Sequence, residues 1–180
     1  MRFEVIFSGI GGQGVILAGT LLGEAAVRSG LKATQTQAYG VSARGGFTKT
    51  DLIVSSEEIL YPYSLNPDLI IALAEEAFVR YIDVDKDTCK VIYDSGLIDV
   101  DSLGLGLDKR FVGVPITNMA IKLGSPRSVN ILSLGIAVSF IKDISFDALR
   151  EILSETFSAN TLEKNIEALS KGMELGKSIF

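Results

Sequence analysis

The stretch that most constrains this chain is its beginning, RFEVIFSGIGGQGVILAG. Residues 2–7 form a short β-type run, glycines follow, and residues 14–29 read as a helix. Gly9, Gly11 and Gly14 satisfy G-x-G-x-x-G between a strand and a helix, the context that a dinucleotide fingerprint requires. Glycine leaves backbone N–H groups bare of any Cβ, and a helix N-terminus adds about half an elementary charge of positive potential. Together they cradle an anion. Gly12 lengthens the bare stretch, and Gln13 supplies a neutral amide that donates and accepts without adding charge.

In the helix over 14–29 the polar positions Thr20, Glu24 and Arg28 fall four apart, on one narrow stripe. Its remaining sides are apolar or small, so it is expected to be buried on most of its surface, with Gly19 and Gly23 admitting a close neighbour and Gly30 ending it. Further strands are expected over 31–37, 47–55, 68–73, 89–94 and 109–114, and helices over 74–82, 118–124, 146–157 and 161–179. The apolar run 128–143 reads as a buried helix, although its periodicity also suits a strand. Ser145 is a candidate N-cap, and Asn160 with Glu163 resembles a capping box. The alternation predicts one domain over residues 1–180, α/β and three-layer, with a Rossmann-like, largely parallel sheet flanked by helices. Ligands of such sheets sit beyond the carboxyl ends of the strands. Both glycine loops follow strands, so both are expected on that rim.

The second loop is AYGVSARGG, residues 38–46. Arg44 is the only cation between Lys32 and Lys49, and Gly45 and Gly46 follow it. An Arg in such a setting suits a bidentate clamp on phosphate or carboxylate; the plainer alternative is a surface Arg paired with Glu57 or Glu58. The rest of the dinucleotide fingerprint is missing. An acidic residue should hold a ribose about 20 residues beyond the glycines. That region reads ATQTQAYG. Three readings of the first loop stay open: a tight strand–helix turn, a nicotinamide dinucleotide site in a stand-alone dehydrogenase, and a site for a phosphate or another polar ligand.

Composition narrows the classes. Net charge is −5 and no Lys/Arg cluster is present, so nucleic acid is not an expected partner. The chain has no His, hence no imidazole base or metal ligand, and its one cysteine, Cys89, cannot form an internal disulfide or supply an iron–sulfur cluster. No catalytic or metal-ligating set emerges. The longest apolar stretch, 129–141, is too short to span a membrane, and no leader precedes the first strand, so a cytoplasmic protein is expected. Hydrophobic residues make up 47% of the chain and mean hydropathy is +0.35, more than one core of this size needs. The surplus points to a surface that meets another subunit.

GIGGQGVILAGTLLGEAA followed by QTQAYGVSARGG, TDLIVSSEEILYP and PDLIIALAEEAF resembles the gamma subunit of 2-oxoacid:ferredoxin oxidoreductases, over most of residues 1–140. That resemblance implies a subunit of a complex that decarboxylates a 2-oxoacid on thiamine diphosphate, reduces ferredoxin through iron–sulfur clusters and delivers the acyl group to coenzyme A. It implies that this chain carries no cofactor of its own. Thiamine diphosphate, its magnesium ion and the clusters belong to alpha, beta and delta-type partners, and coenzyme A is the co-substrate. Gly9, Gly11, Gly12, Gln13 and Gly14 would cradle an anion or seat against the thiamine subunit, Arg44 with Gly45 and Gly46 would bind a coenzyme A phosphate or a carboxylate, and Tyr39 and Asn118 would flank them. The second loop departs from the family's common SYGPEARGG at Ala38, Val41 and Ser42. A 2-oxoglutarate or pyruvate enzyme is more similar than the indolepyruvate type.

Overall fold

β-branched and aromatic residues near the N-terminus form the first strand, of nine residues, around which the rest is ordered. The computed structural model describes residues 1–40, 45–84, 88–106 and 108–179. Its six strands are β1 (Arg2–Ile10), β2 (Lys32–Tyr39), β3 (Phe47–Ser55), β4 (Leu69–Ala72), β5 (Lys90–Asp94) and β6 (Phe111–Val114), in the order β2-β3-β1-β4-β5-β6. β1 runs three residues past its expected end, through Ser8, Gly9 and Ile10. The antiparallel β3 offers it a ladder from Arg2 opposite Ser55 to Ile10 opposite Phe47.

The sheet is mixed. β1, β4, β5 and β6 run parallel, while β3 is antiparallel to both β1 and β2. β2 therefore points the same way as β1, and β3 alone is reversed. The expected Rossmann-like order is altered at this place. In the dinucleotide fold β2 lies beside β1; here β3 is inserted between them and β2 forms the sheet edge. The physical reason is the β2–β3 connection, short enough for a hairpin and too short for a parallel crossover.

The helices are α1 (Val15–Arg28), α2 (Glu75–Phe78), α3 (Ile116–Lys122), α4 (Val129–Val138), α5 (Phe146–Thr156) and α6 (Ala159–Ser178). One sheet face packs Val5, Phe7, Leu52, Val54 and Ile71 into a core shared with α1, α4, α5 and α6. The other face buries Ile6, Ile70, Ala72 and Val91 against Phe78, Cys89 and Ile98. The second helical layer expected there is thin. Residues 74–82 make only the four-residue α2 and a 3-10 turn over Val79–Tyr81. Gly30, at φ +81°, ends α1, and Ser145 Oγ accepts from Ala148 N at the start of α5, both as expected. The capping box at Asn160 does not form, because α6 begins two residues earlier with Ser158 at its N-cap.

α4 settles the ambiguous run as a helix with all ten residues buried. It packs against α6 through glycines that the apolar pattern does not reveal. A Cβ on Gly172 would lie 3.0 Å from Gly135 Cα and collide with the Leu132 carbonyl oxygen. Gly172→Ala is expected to destabilise the chain by about 1–3 kcal/mol, lowering Tm by roughly 2–10 °C in a thermal melt. An unchanged melt would mean that the two helices sit further apart.

At the opposite end of the sheet from the glycine loops, Glu4 is a buried carboxylate. Its Oε2 accepts from Ser64 Oγ at 2.8 Å and from the amides of Leu65 and Asn66 at 3.1 Å, and its Oε1 accepts from Arg2 Nε at 2.9 Å. Burial pushes its pKa up, but these donors outweigh it and hold the carboxyl below its ordinary 4.5. A lowered folded pKa gives stability that is present above 4.5 and lost as pH falls through the folded value. Melts from pH 6 to pH 3 should show Glu4→Gln less stable than wild type, with the gap closing below about pH 4.5. A gap that widens on acidification would contradict this.

Candidate functional site

The reversed β3 starts where β1 ends, so the two glycine loops meet. Ile10 lies opposite Phe47, and the ladder continues one step into the loops: Gly11 N donates to the Gly46 carbonyl at 3.0 Å. Gly40 N donates to Phe47 O at 2.6 Å and closes the base of the second loop. A Cβ on Gly11 would stand 3.4 Å from Gly45 N, so glycine lets the segments approach closely. Gly12 and Gly14 hold φ of +102° and +73°, a region that side chains with a Cβ avoid. A cavity of about 570 Å³ opens between the loops at the carboxyl rim, lined by Gly11, Gly12, Tyr39, Gly45, Gly46 and Thr48 among others.

Gln13 serves this shape from beneath. Its Oε1 accepts from Ile10 N and its Nε2 donates to the Leu73 carbonyl, both at 2.8 Å. The amide staples the loop to the end of β4. A Cβ on Gly9 would run into Gln13 Oε1, so Gly9 leaves room for the staple. Neither residue lines this cavity: Gly9 is inside β1, and the Gln13 amide bonds backbone through both its oxygen and its nitrogen. α1 begins directly after the loop, with Gly14 at its N-cap, no side-chain cap and no acidic residue in its first turn. No carboxylate in its own first turn offsets its positive end.

Of the residues singled out from sequence, Gly11, Gly12, Gly14, Tyr39, Gly45 and Gly46 gather at one cavity. Tyr39 is exposed at the tip of β2, its hydroxyl donating to Gln37 Oε1. Arg44 lies outside the described residues, as do Val41 and Ser42. Glu57 and Glu58, the alternative partners, follow the far end of the nine-residue β3, roughly 30 Å from Gly45 at β-strand rise. Asn118 is not brought to the loops. It is exposed on α3, after β6 and beside Gly96, three strands away from β1.

Sequence reasoning missed a polar cluster under the rim, on the thinly covered face. Asp51 is buried, its Oδ2 paired with Lys49 Nζ at 2.9 Å and its Oδ1 without a hydrogen-bond partner among the described residues. Burial, then the Asp51 charge, pushes the Tyr81 hydroxyl up to about 12, against a hydrogen bond with Ser8 that lowers it. The period-2 pattern of β3 carried a signal, since Lys49 and Asp51 share a face with Phe47 and Ile53.

Gln13→Ala removes the staple and strips partners from Ile10 N and Leu73 O. It is expected to cost about 1–3 kcal/mol of stability, seen as a lower Tm, because part-buried backbone groups are left unmet. An unchanged melt would show that the loop holds its form without the side chain.

Comparison with known proteins finds relatives along nearly the whole chain. Residues 4–175 match the family model of pyruvate ferredoxin/flavodoxin oxidoreductase. The chain is 36% identical to the 2-oxoglutarate synthase subunit KorC of Methanocaldococcus jannaschii, over 99% of this chain and 96% of that one. It superposes with a TM-score of 0.78 and 29% identity on the gamma subunit of a keto/oxoacid ferredoxin oxidoreductase from Geobacter sulfurreducens, covering 98% of this chain and 99% of that one. With a TM-score of 0.86 and 26% identity it also matches the 2-oxoglutarate:ferredoxin oxidoreductase of Magnetococcus marinus, a structure with 2-oxoglutarate, coenzyme A and succinyl-CoA bound. There it covers 98% of this chain and 31% of that longer one.

Proposed function

The chain belongs to the pyruvate ferredoxin/flavodoxin oxidoreductase family, and from that premise we propose its part: it is the gamma subunit of a 2-oxoacid:ferredoxin oxidoreductase and holds coenzyme A for acyl transfer. The complex as a whole decarboxylates a 2-oxoacid such as 2-oxoglutarate or pyruvate and passes electrons to ferredoxin. Partner subunits of alpha, beta and delta type carry thiamine diphosphate, magnesium and the iron–sulfur clusters. This chain does no bond chemistry. Its loops bind and orient the thiol-bearing coenzyme A so that the acyl group meets its acceptor in place.

The observation that carries this reading is the bond from Gly11 N to the Gly46 carbonyl, which joins the two glycine loops around one rim cavity. Bare amides, the start of α1 and the guanidinium of Arg44 in the second loop's sequence make a set suited to phosphate oxygens. The stand-alone dehydrogenase loses ground on topology, because β2 is not beside β1 and its end carries Gln37, Ala38 and Tyr39 in place of a ribose-binding carboxylate. The apolar surplus has a place as well. Leu60, Tyr61, Tyr63 and Leu65 are 51–87% exposed on the connection that Glu4 pins, at the end of the sheet away from the rim. A partner subunit docked there leaves the rim open.

Arg44→Ala in the co-expressed complex tests the assignment. The KM for coenzyme A should rise about tenfold or more, the loss of one charge-assisted contact, with the KM for the 2-oxoacid unchanged. An unaltered coenzyme A KM would overturn the role given to the second loop.

A further inference from the structure

The glycine wall has a second side. Behind Gly12 and Gly14 lies another cavity, of about 920 Å³, between the carboxyl rim and the helical layer. Three helices of 14, 10 and 20 residues, α1, α4 and α6, open on it with their N-terminal ends: Gly14 and Leu17 from α1, Ser128 to Asn130 from α4, Asn160 and Thr161 from α6. Each end carries partial positive charge. Arg127 and Lys164 add two full charges to the lining. The chain has 22 acidic residues, and none of the described ones lines this space.

Helix ends alone do not make a site, but Asn130 supplies an independent sign. Its residue is 7% exposed, it borders the cavity, and its side chain has no hydrogen-bond partner among the described residues. Gly14 exists partly to admit it, since a Cβ there would stand 2.7 Å from Asn130 Nδ2. Asn165, 5% exposed, accepts from Ser128 Oγ through Oδ1, and its Nδ2 has no hydrogen-bond partner among the described residues. Lys164 spends one N–H on the Gly124 carbonyl and keeps two. Amide groups that open on a cavity without a protein partner are completed by whatever fills it. Donors and cations with no carboxylate among them fit an oxyanion.

We propose that this second cavity is a phosphate subsite, in which Asn130, Lys164 and Arg127 take a phosphoryl group at the joint N-termini of α1, α4 and α6. The inference rests on the coenzyme A reading for the source of that phosphate and on the cavity alone for its chemistry. The glycine wall borders both cavities through Gly12 and Gly14, so a ligand reaching from one to the other passes over bare backbone.

Calorimetric titration of the full chain with inorganic pyrophosphate, coenzyme A and pantetheine tests this. Pyrophosphate and coenzyme A should bind and compete, pantetheine should not bind, and affinity should fall steeply as salt rises. Arg127→Gln and Lys164→Gln, both at exposed positions, should each weaken pyrophosphate about tenfold with the melt unchanged, and Asn130→Asp should abolish binding. Absence of pyrophosphate binding, or binding indifferent to both cation variants, overturns the subsite. Coenzyme A binding that pyrophosphate does not displace also overturns it, while leaving the rim assignment intact. Pyrophosphate binding that depends on both cations, with no binding of coenzyme A, upholds the subsite and tells instead against the coenzyme A reading.

Discussion

The antiparallel ladder between β1 and β3 fixes everything that follows at the rim. Nine paired residues set Ile10 opposite Phe47 and leave the next backbone group on each side, Gly11 and Gly46, within hydrogen-bond reach. Register in a two-faced sheet is strongly specified, because a slip of one residue would turn Val5 and Phe7 out of the core and bring Glu4 and Ile6 in. The meeting of the two loops is thus set by the burial of β1, far from any ligand. With β3 running the other way, the second loop belongs to a hairpin and turns over at the same end of the sheet as the first. A parallel crossover would have carried it away.

Within that frame the glycines divide their work. Gly12 and Gly14 take left-handed backbone, Gly11 admits the second loop, and Gly9 makes room for the Gln13 amide that fastens the loop to β4. The loop is fastened by these contacts and borders a cavity on each of two sides. Its ligand-facing chemistry is peptide N–H and helix ends, with Arg44 the one full charge that the second loop's sequence contributes. A chain of net charge −5 keeps carboxylates away from both cavities among its described residues. Long-range repulsion of an anionic ligand is thereby offset where it matters.

Much of this was legible in the residues. The strand–glycine–helix unit, the extent of β3, the stop at Gly30 and the convergence of two loops on one rim follow from local pattern. Strand order did not, because periodicity carries no information on which strand a β-run pairs with, and the inserted β3 is a tertiary choice. The structural part of Gln13 was not legible, because its two partners, Ile10 N and Leu73 O, become visible only once β4 is placed. Asn118 stands apart from the loop cavity because the carboxyl edge is long and β6 is three strands from β1. The second cavity draws residues from the N-terminal loop and from α4 and α6, more than a hundred positions apart, and no linear motif spans that distance.

Hydrogen–deuterium exchange on the assembled complex, with and without coenzyme A, addresses the central claim most directly. Peptides covering residues 9–16 and 40–48 should slow together when the ligand is added, since the joined loops form one wall of its site. Protection confined to partner subunits, with both glycine loops exchanging as before, would contradict it.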